Sequence, residues 1–213
     1  MKKVIIPMCA LVAMSFTTIP EADVSKEVIS EVSVKETIKV ELKEYFKKTR
    51  ETLEDHIEGL SDKQLSFKPS PNVWSVSQCL EHIIKTEEML FGMTKTALEG
   101  EPNPERKDEV KMSDEDIIAG ITDRSSKAQA SESLMPNGTY DSPEAALEAF
   151  DEQREEIMDF IDDTSEEDLR NYISDSPFGA VDAHQSLLFI AGHTARHTLQ
   201  IEEVMKDANF PEK

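Results

Sequence analysis

Cysteine is nearly absent from this chain: of 213 residues, only positions 9 and 79 carry a thiol. Removal of an N-terminal leader would leave Cys79 alone, so no internal disulfide can staple the fold. Glycine is scarce too, with seven residues, and there are three tyrosines and one tryptophan. That is a poor supply of turn formers and aromatics for a β-sandwich. Basic residues are outnumbered 23 to 44 by acidic ones, for a net charge of −21, a balance that repels a phosphate backbone and excludes nucleic acid as a partner. No apolar run reaches the roughly 20 residues that a transmembrane helix needs. What is there, 38% apolar and 31% charged residues in a length suited to one domain with extensions, predicts an all-α class.

The N-terminus reads Lys2-Lys3, an apolar run from Val4 to Phe16, then Thr17-Thr18 and Pro20. A short basic region before an apolar core too short to span a bilayer is the pattern of a signal peptide, taken here as residues 1–20, with export to the periplasm or medium as its consequence. Cleavage after Ser15 or Thr17 fits the small-residue requirement, and Pro7-Met8 before Cys9 argues against lipidation. Residues 21–33 are polar and mixed in charge, without a sustained apolar face, and read as a linker to a domain spanning 34–213.

Within that domain, Val34, Ile38, Leu42, Tyr45, Phe46, Thr49, Leu53 and Ile57 recur at helical spacing up to a stop at Gly59. Ser61 with Gln64 makes a capping box for one short turn, and prolines 69 and 71 block regular helix beyond it. A second capping box, Ser75 with Gln78, opens a second helix near Val76 that runs to about Leu98, with Trp74 placed to staple its first turn. On this helix Glu81, Lys85 and Glu88 are expected to point outward. Residues 100–139 form a long charged connection with a weak helical stretch after Ser113. Ser142-Pro143 starts a third helix, and a fourth runs from about Asp182 to Ala208 after an acidic turn and Pro177-Phe178-Gly179.

The chemistry lies in three histidines. His193 and His197 stand at i and i+4 on the fourth helix, within the apolar stripe of Ile190, Ile201 and Val204, so both face the interior one turn apart. Two imidazoles so placed can hold one ion, although a pair at this spacing also occurs in cores that bind nothing. His82 sits at the edge of the core face of the second helix, where antiparallel packing could bring it to the same centre. Arg196 and Gln200 flank the pair and could orient ligands or substrate, whereas His56 and His184 have no partner at ligand spacing. Cys79 reads as a small core residue rather than a fourth ligand.

The stretch Val73-Trp74-Ser75-Val76-Ser77-Gln78-Cys79-Leu80-Glu81-His82-Ile83 resembles the opening of helix two in the DinB/YfiT-like family. Residues 177–183 and 187–201, with Gly192-His193-Thr194-Ala195-Arg196-His197 at their centre, resemble that family's last bundle helix. The similarity runs from about Val34 to Asp207. It implies a DinB/YfiT-like four-helix bundle whose three-histidine site, His82, His193 and His197, holds zinc or nickel with open positions for water or substrate. Relatives include thiol-dependent transferases and isomerases, and an exported chain would meet little of a cytosolic thiol cofactor. The expected function is therefore a divalent-metal-dependent enzyme, a hydrolase or a thiol-linked transferase, acting on a small molecule; a noncatalytic exported metal-binding or interaction module is the alternative. No general base is visible in the sequence. A homodimer is compatible with this reading, and metal affinity is expected to weaken as the pH falls through about 6.5, the ordinary histidine value.

Overall fold

The computed structural model describes residues 24–125 and 129–213, with side chains from residue 38 onward. The expected leader lies outside the described residues. Four long helices form the bundle: α1 (Val24–Ile57), α3 (Val76–Leu98), α5 (Pro143–Asp163) and α7 (Ala183–Met205). Three shorter ones, α2 (Asp62–Leu65), α4 (Asp114–Thr122) and α6 (Glu166–Asn171), and two 3-10 turns, Pro104–Glu109 and Glu132–Leu134, fill the connections. Among the described residues, no helix is long and apolar enough to cross a membrane.

Helix α1 begins at Val24, ten residues before the expected start, so most of the segment read as a linker has helical backbone. The reason is local. No Gly or Pro occurs between Pro20 and Gly59, so no strong helix breaker interrupts a helix that propagates back from the turns already nucleated beyond. The exit is at Gly59, whose φ of 71° suits a residue without a Cβ. Both expected capping boxes form: Gln64 Oε1 accepts the Ser61 N–H at 2.9 Å, and Ser75 Oγ accepts the Gln78 N–H at 3.3 Å.

The mostly helical chain carries one element that the all-α expectation omits, an antiparallel hairpin of β1 (Ile173–Ser176) and β2 (Gly179–Asp182). Its two-residue loop is Pro177-Phe178, and Gly179 takes a φ of 104°. Ser176 Oγ ties the turn by accepting from Phe178 N–H and donating to Gly179 O. The open edge is capped by Asn103, whose side chain accepts the Ile173 N–H at 2.7 Å and donates to the Ile173 carbonyl at 3.0 Å. Four-residue strands are too short for a period-two pattern to stand out in a sequence.

Burial divides the interior into two apolar clusters with a polar layer between them. One contains Leu42, Phe46, Phe91, Ile157, Leu187 and Ile190; the other contains Leu53, Leu80, Ile83, Phe150, Ile201 and Val204. Each long helix steps from one cluster to the other across a buried polar residue: Thr49 on α1, Glu87 on α3, Arg154 on α5 and Thr194 on α7. Arg154, 2% exposed, donates to both oxygens of the fully buried Glu87 at 3.0 and 2.5 Å, to Thr194 Oγ1 at 2.6 Å, and to Phe46 O and Thr49 Oγ1. Thr194 also donates to Glu87. The Arg154 guanidinium lies 4.9 Å from the ring centres of Phe46 and Phe150, one in each cluster. Buried charge is tolerated here because every donor and both carboxylate oxygens find partners.

Candidate metal centre

The N-terminal half of α3 and the C-terminal half of α7 share one apolar cluster, and their other halves share the second, so the two helices run antiparallel. That packing brings together the three histidines that the sequence singles out. His82, His193 and His197 are all buried, with ring centroids 4.4 to 5.1 Å apart. One nitrogen from each lies within 4.8 Å of the others, the one such cluster among the described residues.

The surroundings decide which nitrogens face the shared centre. His82 Nδ1 is 2.9 Å from the carbonyl of Leu134, which can only accept, so Nδ1 carries the proton and Nε2 carries the lone pair. His197 Nδ1 is 3.0 Å from Gln200 Oε1, an atom that also accepts from Arg124 Nη1 at 3.4 Å and is thereby fixed as oxygen. Nε2 of His197 is again the free lone pair. His193 Nδ1 is buried without a protein partner, an unmet polar atom inside the cluster.

Burial holds the rings neutral. It lowers the pKa of His82 from 6.5, opposed by the Leu134 hydrogen bond and helped by the charge on Lys85. It lowers that of His193 well below 6.5, with His197, His82 and Arg196 adding to it. His197 falls to about 3 through burial, then His82 and Arg124, against the Gln200 bond. Burial thus moves protonation of all three rings to below the ordinary histidine value of 6.5. Neutral, buried rings with lone pairs converging on one point fit a divalent metal ion.

Trp74 has a larger part than a staple. Its ring lies 4.7 Å from that of His82 and stacks at 29° on His197, 6.1 Å away, covering one side of the cluster. Gln200 orients His197, as the sequence suggested it could, and Arg124 holds Gln200 while pairing with Glu203 at 2.8 Å. Arg196 instead donates to the carbonyls of Ile121 and Asp123, fastening the end of α4 to α7. Cys79 is fully buried in the second apolar cluster, its thiol pushed up to about 12 by burial, and is not among the converging ligand atoms. His56 sits on the outer side of α1 beside Glu202 at 3.3 Å, and His184 is buried 3.4 Å from Asp114, away from the cluster.

Glu81 contradicts its expected outward placement. It is 6% exposed and receives the N–H groups of Asn137, Gly138 and Thr139 at 2.9, 3.0 and 3.2 Å, the Thr139 hydroxyl at 2.9 Å and Lys85 at 2.9 Å. Burial alone would raise its pKa, but these donors outweigh it and bring it from 4.5 to about 2. Lys85, half-buried, also donates to Met135 O and Asn137 Oδ1. The turn so clamped begins three residues after Leu134, whose carbonyl orients His82. Three consecutive N–H groups after Pro136 make an anion-binding nest, yet nothing in the sequence links it to a carboxylate more than fifty positions earlier.

The sequence profile of the DinB superfamily matches residues 45–201. This chain belongs to the DinB superfamily. It is 27% identical over 159 residues to YuaE of Bacillus subtilis strain 168, covering 75% of this chain and 94% of that protein. The fold is similar to that of YfiT from Bacillus subtilis, with a TM-score of 0.55 over 79% of this chain and 86% of that one at 15% identity. YfiT is described as a probable metal-dependent hydrolase with an unusual four-helix bundle topology. The DinB cluster lies in the wall of a cavity of about 1420 Å³ that opens between α3, α4, α7 and the hairpin.

Proposed function

We propose that this protein is a metal-dependent hydrolase that binds one divalent ion, zinc or nickel, through His82, His193 and His197. The observation that carries the reading is the convergence of three neutral, buried imidazoles in the wall of a large open cavity. Structural metal sites are closed by protein ligands on all sides, whereas three protein ligands facing a cavity leave room for a substrate. The noncatalytic alternative has no such use for the cavity. The description of YfiT as a metal-dependent hydrolase favours hydrolysis over thiol-linked transfer. An ion held there by His82, His193 and His197 would act as a Lewis acid and would lower the pKa of water or substrate groups that reach it.

The chain's own residues supply the rest. Leu134 O and Gln200 Oε1 fix the rings in the tautomer that aims Nε2 inward. Burial keeps protons off the ligands, and Trp74 shields one side from solvent. The leader-like first 20 residues support an activity outside the cytoplasm, which N-terminal sequencing of fractionated material tests.

Metal analysis of the purified chain decides the assignment. The wild type should hold about one zinc or nickel per chain and hydrolyse members of an ester and amide panel. His193→Ala and His197→Ala should lose metal and turnover together, and His56→Ala should change neither. A wild type that is empty and resists reloading would overturn the proposal, and full occupancy in His82→Ala would remove α3 from the site.

A further inference from the structure

The cavity extends much farther than a three-histidine site requires. Along α3 its wall is made by His82, Thr86, Met89, Leu90, Met93 and Ala97, spaced by single turns on one face. At 1.5 Å per residue those fifteen steps span about 22 Å. Along α7 the facing wall runs from His197 through His193 and Phe189 to Gln185, about 18 Å. Ile117 and Ile121 of α4 form the base, and Phe178 and Val181 close the hairpin end. The volume of about 1420 Å³ exceeds the roughly 300–1,000 Å³ of a compact small-molecule pocket.

Two features give this arm a chemical preference. Among the described residues, six large hydrophobics are exposed, and four of them, Met89 (39%), Met93 (60%), Met135 (38%) and Phe178 (44%), line this cavity. Apolar surface gathered in one place rather than scattered marks a binding surface. The charges are at the ends: Lys68, Asp123, Arg124, Arg196, Glu203 and Asp207 on the histidine side, and Asp175 on the hairpin. The α3 and α4 residues between them carry none. Flexible methionines rather than parallel aromatic planes suit a chain that bends, not a flat ring system.

We propose that the arm between the histidines and the hairpin binds an unbranched apolar chain, which makes the substrate an acyl-chain amphiphile with its polar group at the histidines. The identity of the reacting end rests on the metal-site reading; the binding of the chain does not. The occupant covers Met89, Met93 and Phe178, and its affinity grows with length until the arm is filled.

The test uses the full chain freed of metal by chelator, with its single tryptophan, Trp74, as reporter beside the cavity. Titration with 1-octanol, 1-decanol and 1-dodecanol should show binding that tightens about fourfold per added methylene. Met89→Gln and Met93→Gln, at exposed positions that do not support the core, should weaken dodecanol binding about tenfold or more without moving the melting temperature. Affinity indifferent to chain length, or unchanged in both variants, overturns the proposal. So does self-association in sedimentation that Met93→Gln abolishes, since that assigns the face to a second copy. Chain binding that persists in a protein unable to take up zinc or nickel refutes the metal reading alone. One metal per chain without alcohol binding refutes this proposal alone.

Discussion

Replacing Glu81 by Gln tests whether the 137–139 turn controls the three-histidine cluster or only decorates it. Glutamine keeps the oxygen that accepts from Asn137 and Thr139 but puts an NH2 group where Oε2 now receives the Gly138 N–H at 3.0 Å. Donor then meets donor, and the ion pair with Lys85 is lost. An unmet buried N–H costs about 1–3 kcal/mol, and the charge-assisted bonds that remain lose about half their strength. That is enough to free the turn and withdraw the Leu134 carbonyl from His82 Nδ1, and loss of such a ligand-orienting partner typically weakens metal affinity about 10- to 100-fold. Zinc competition with a chromophoric chelator reads the affinity, with thermal unfolding measured in parallel. Because the Glu81 pKa is depressed from 4.5 to about 2, the clamp is fully charged above pH 4.5 and is lost only as the pH falls from there toward 2. The wild type and Glu81→Gln should therefore differ most at neutral pH. A lowered melting temperature with unchanged zinc affinity would refute the coupling.

Three further outcomes follow from the geometry. His82, His193 and His197 titrate at depressed pKa values in the fold, so below pH 6.5 the unfolded chain takes up protons that the folded one refuses. Urea melts of metal-free protein should show stability falling as the pH drops below 6.5, with His197 contributing up to about 1.4 kcal/mol per pH unit down to about 3; stability flat across pH 6.5 to 4 would contradict the neutral rings. A Cβ on Gly192 would run into Ile121 Cγ2, so Gly192→Ala should cost about 1–3 kcal/mol by overpacking, and Ile121→Ala should recover most of it in a denaturation cycle. Arg154→Met leaves Glu87 buried without its partner and should cost about 3–5 kcal/mol, whereas the double replacement with Glu87→Leu should be far milder.

The bundle and its histidines are legible in the sequence because both depend on short-range periodicity. Helix starts at Ser75 and Ser142, the stop at Gly59, and the His193–His197 pair are all local patterns of three or four residues. His82 needs one inference more, the antiparallel packing of two amphipathic helices. What stays hidden depends on long-range pairing. Glu81 looks like any helical surface glutamate until the turn at 137–139 reaches it, and Arg154 and Glu87 look solvated until four helices close around them. The hairpin escapes for a different reason: it is held by the Asn103 side chain and the Ser176 hydroxyl more than by any alternating apolar pattern.

The polar layer at Thr49, Glu87, Arg154 and Thr194 has one more consequence. Greasy interfaces tolerate sliding by a helical turn, since one leucine replaces another at small cost, whereas a guanidinium with five donors has a single axial position that satisfies them all. Arg154 therefore works as a keyway, indexing the four shafts against one another at mid-height. Substitutions can accumulate in the apolar clusters on either side without changing the offset between α3 and α7. That offset alone sets whether His82 arrives level with His193 and His197.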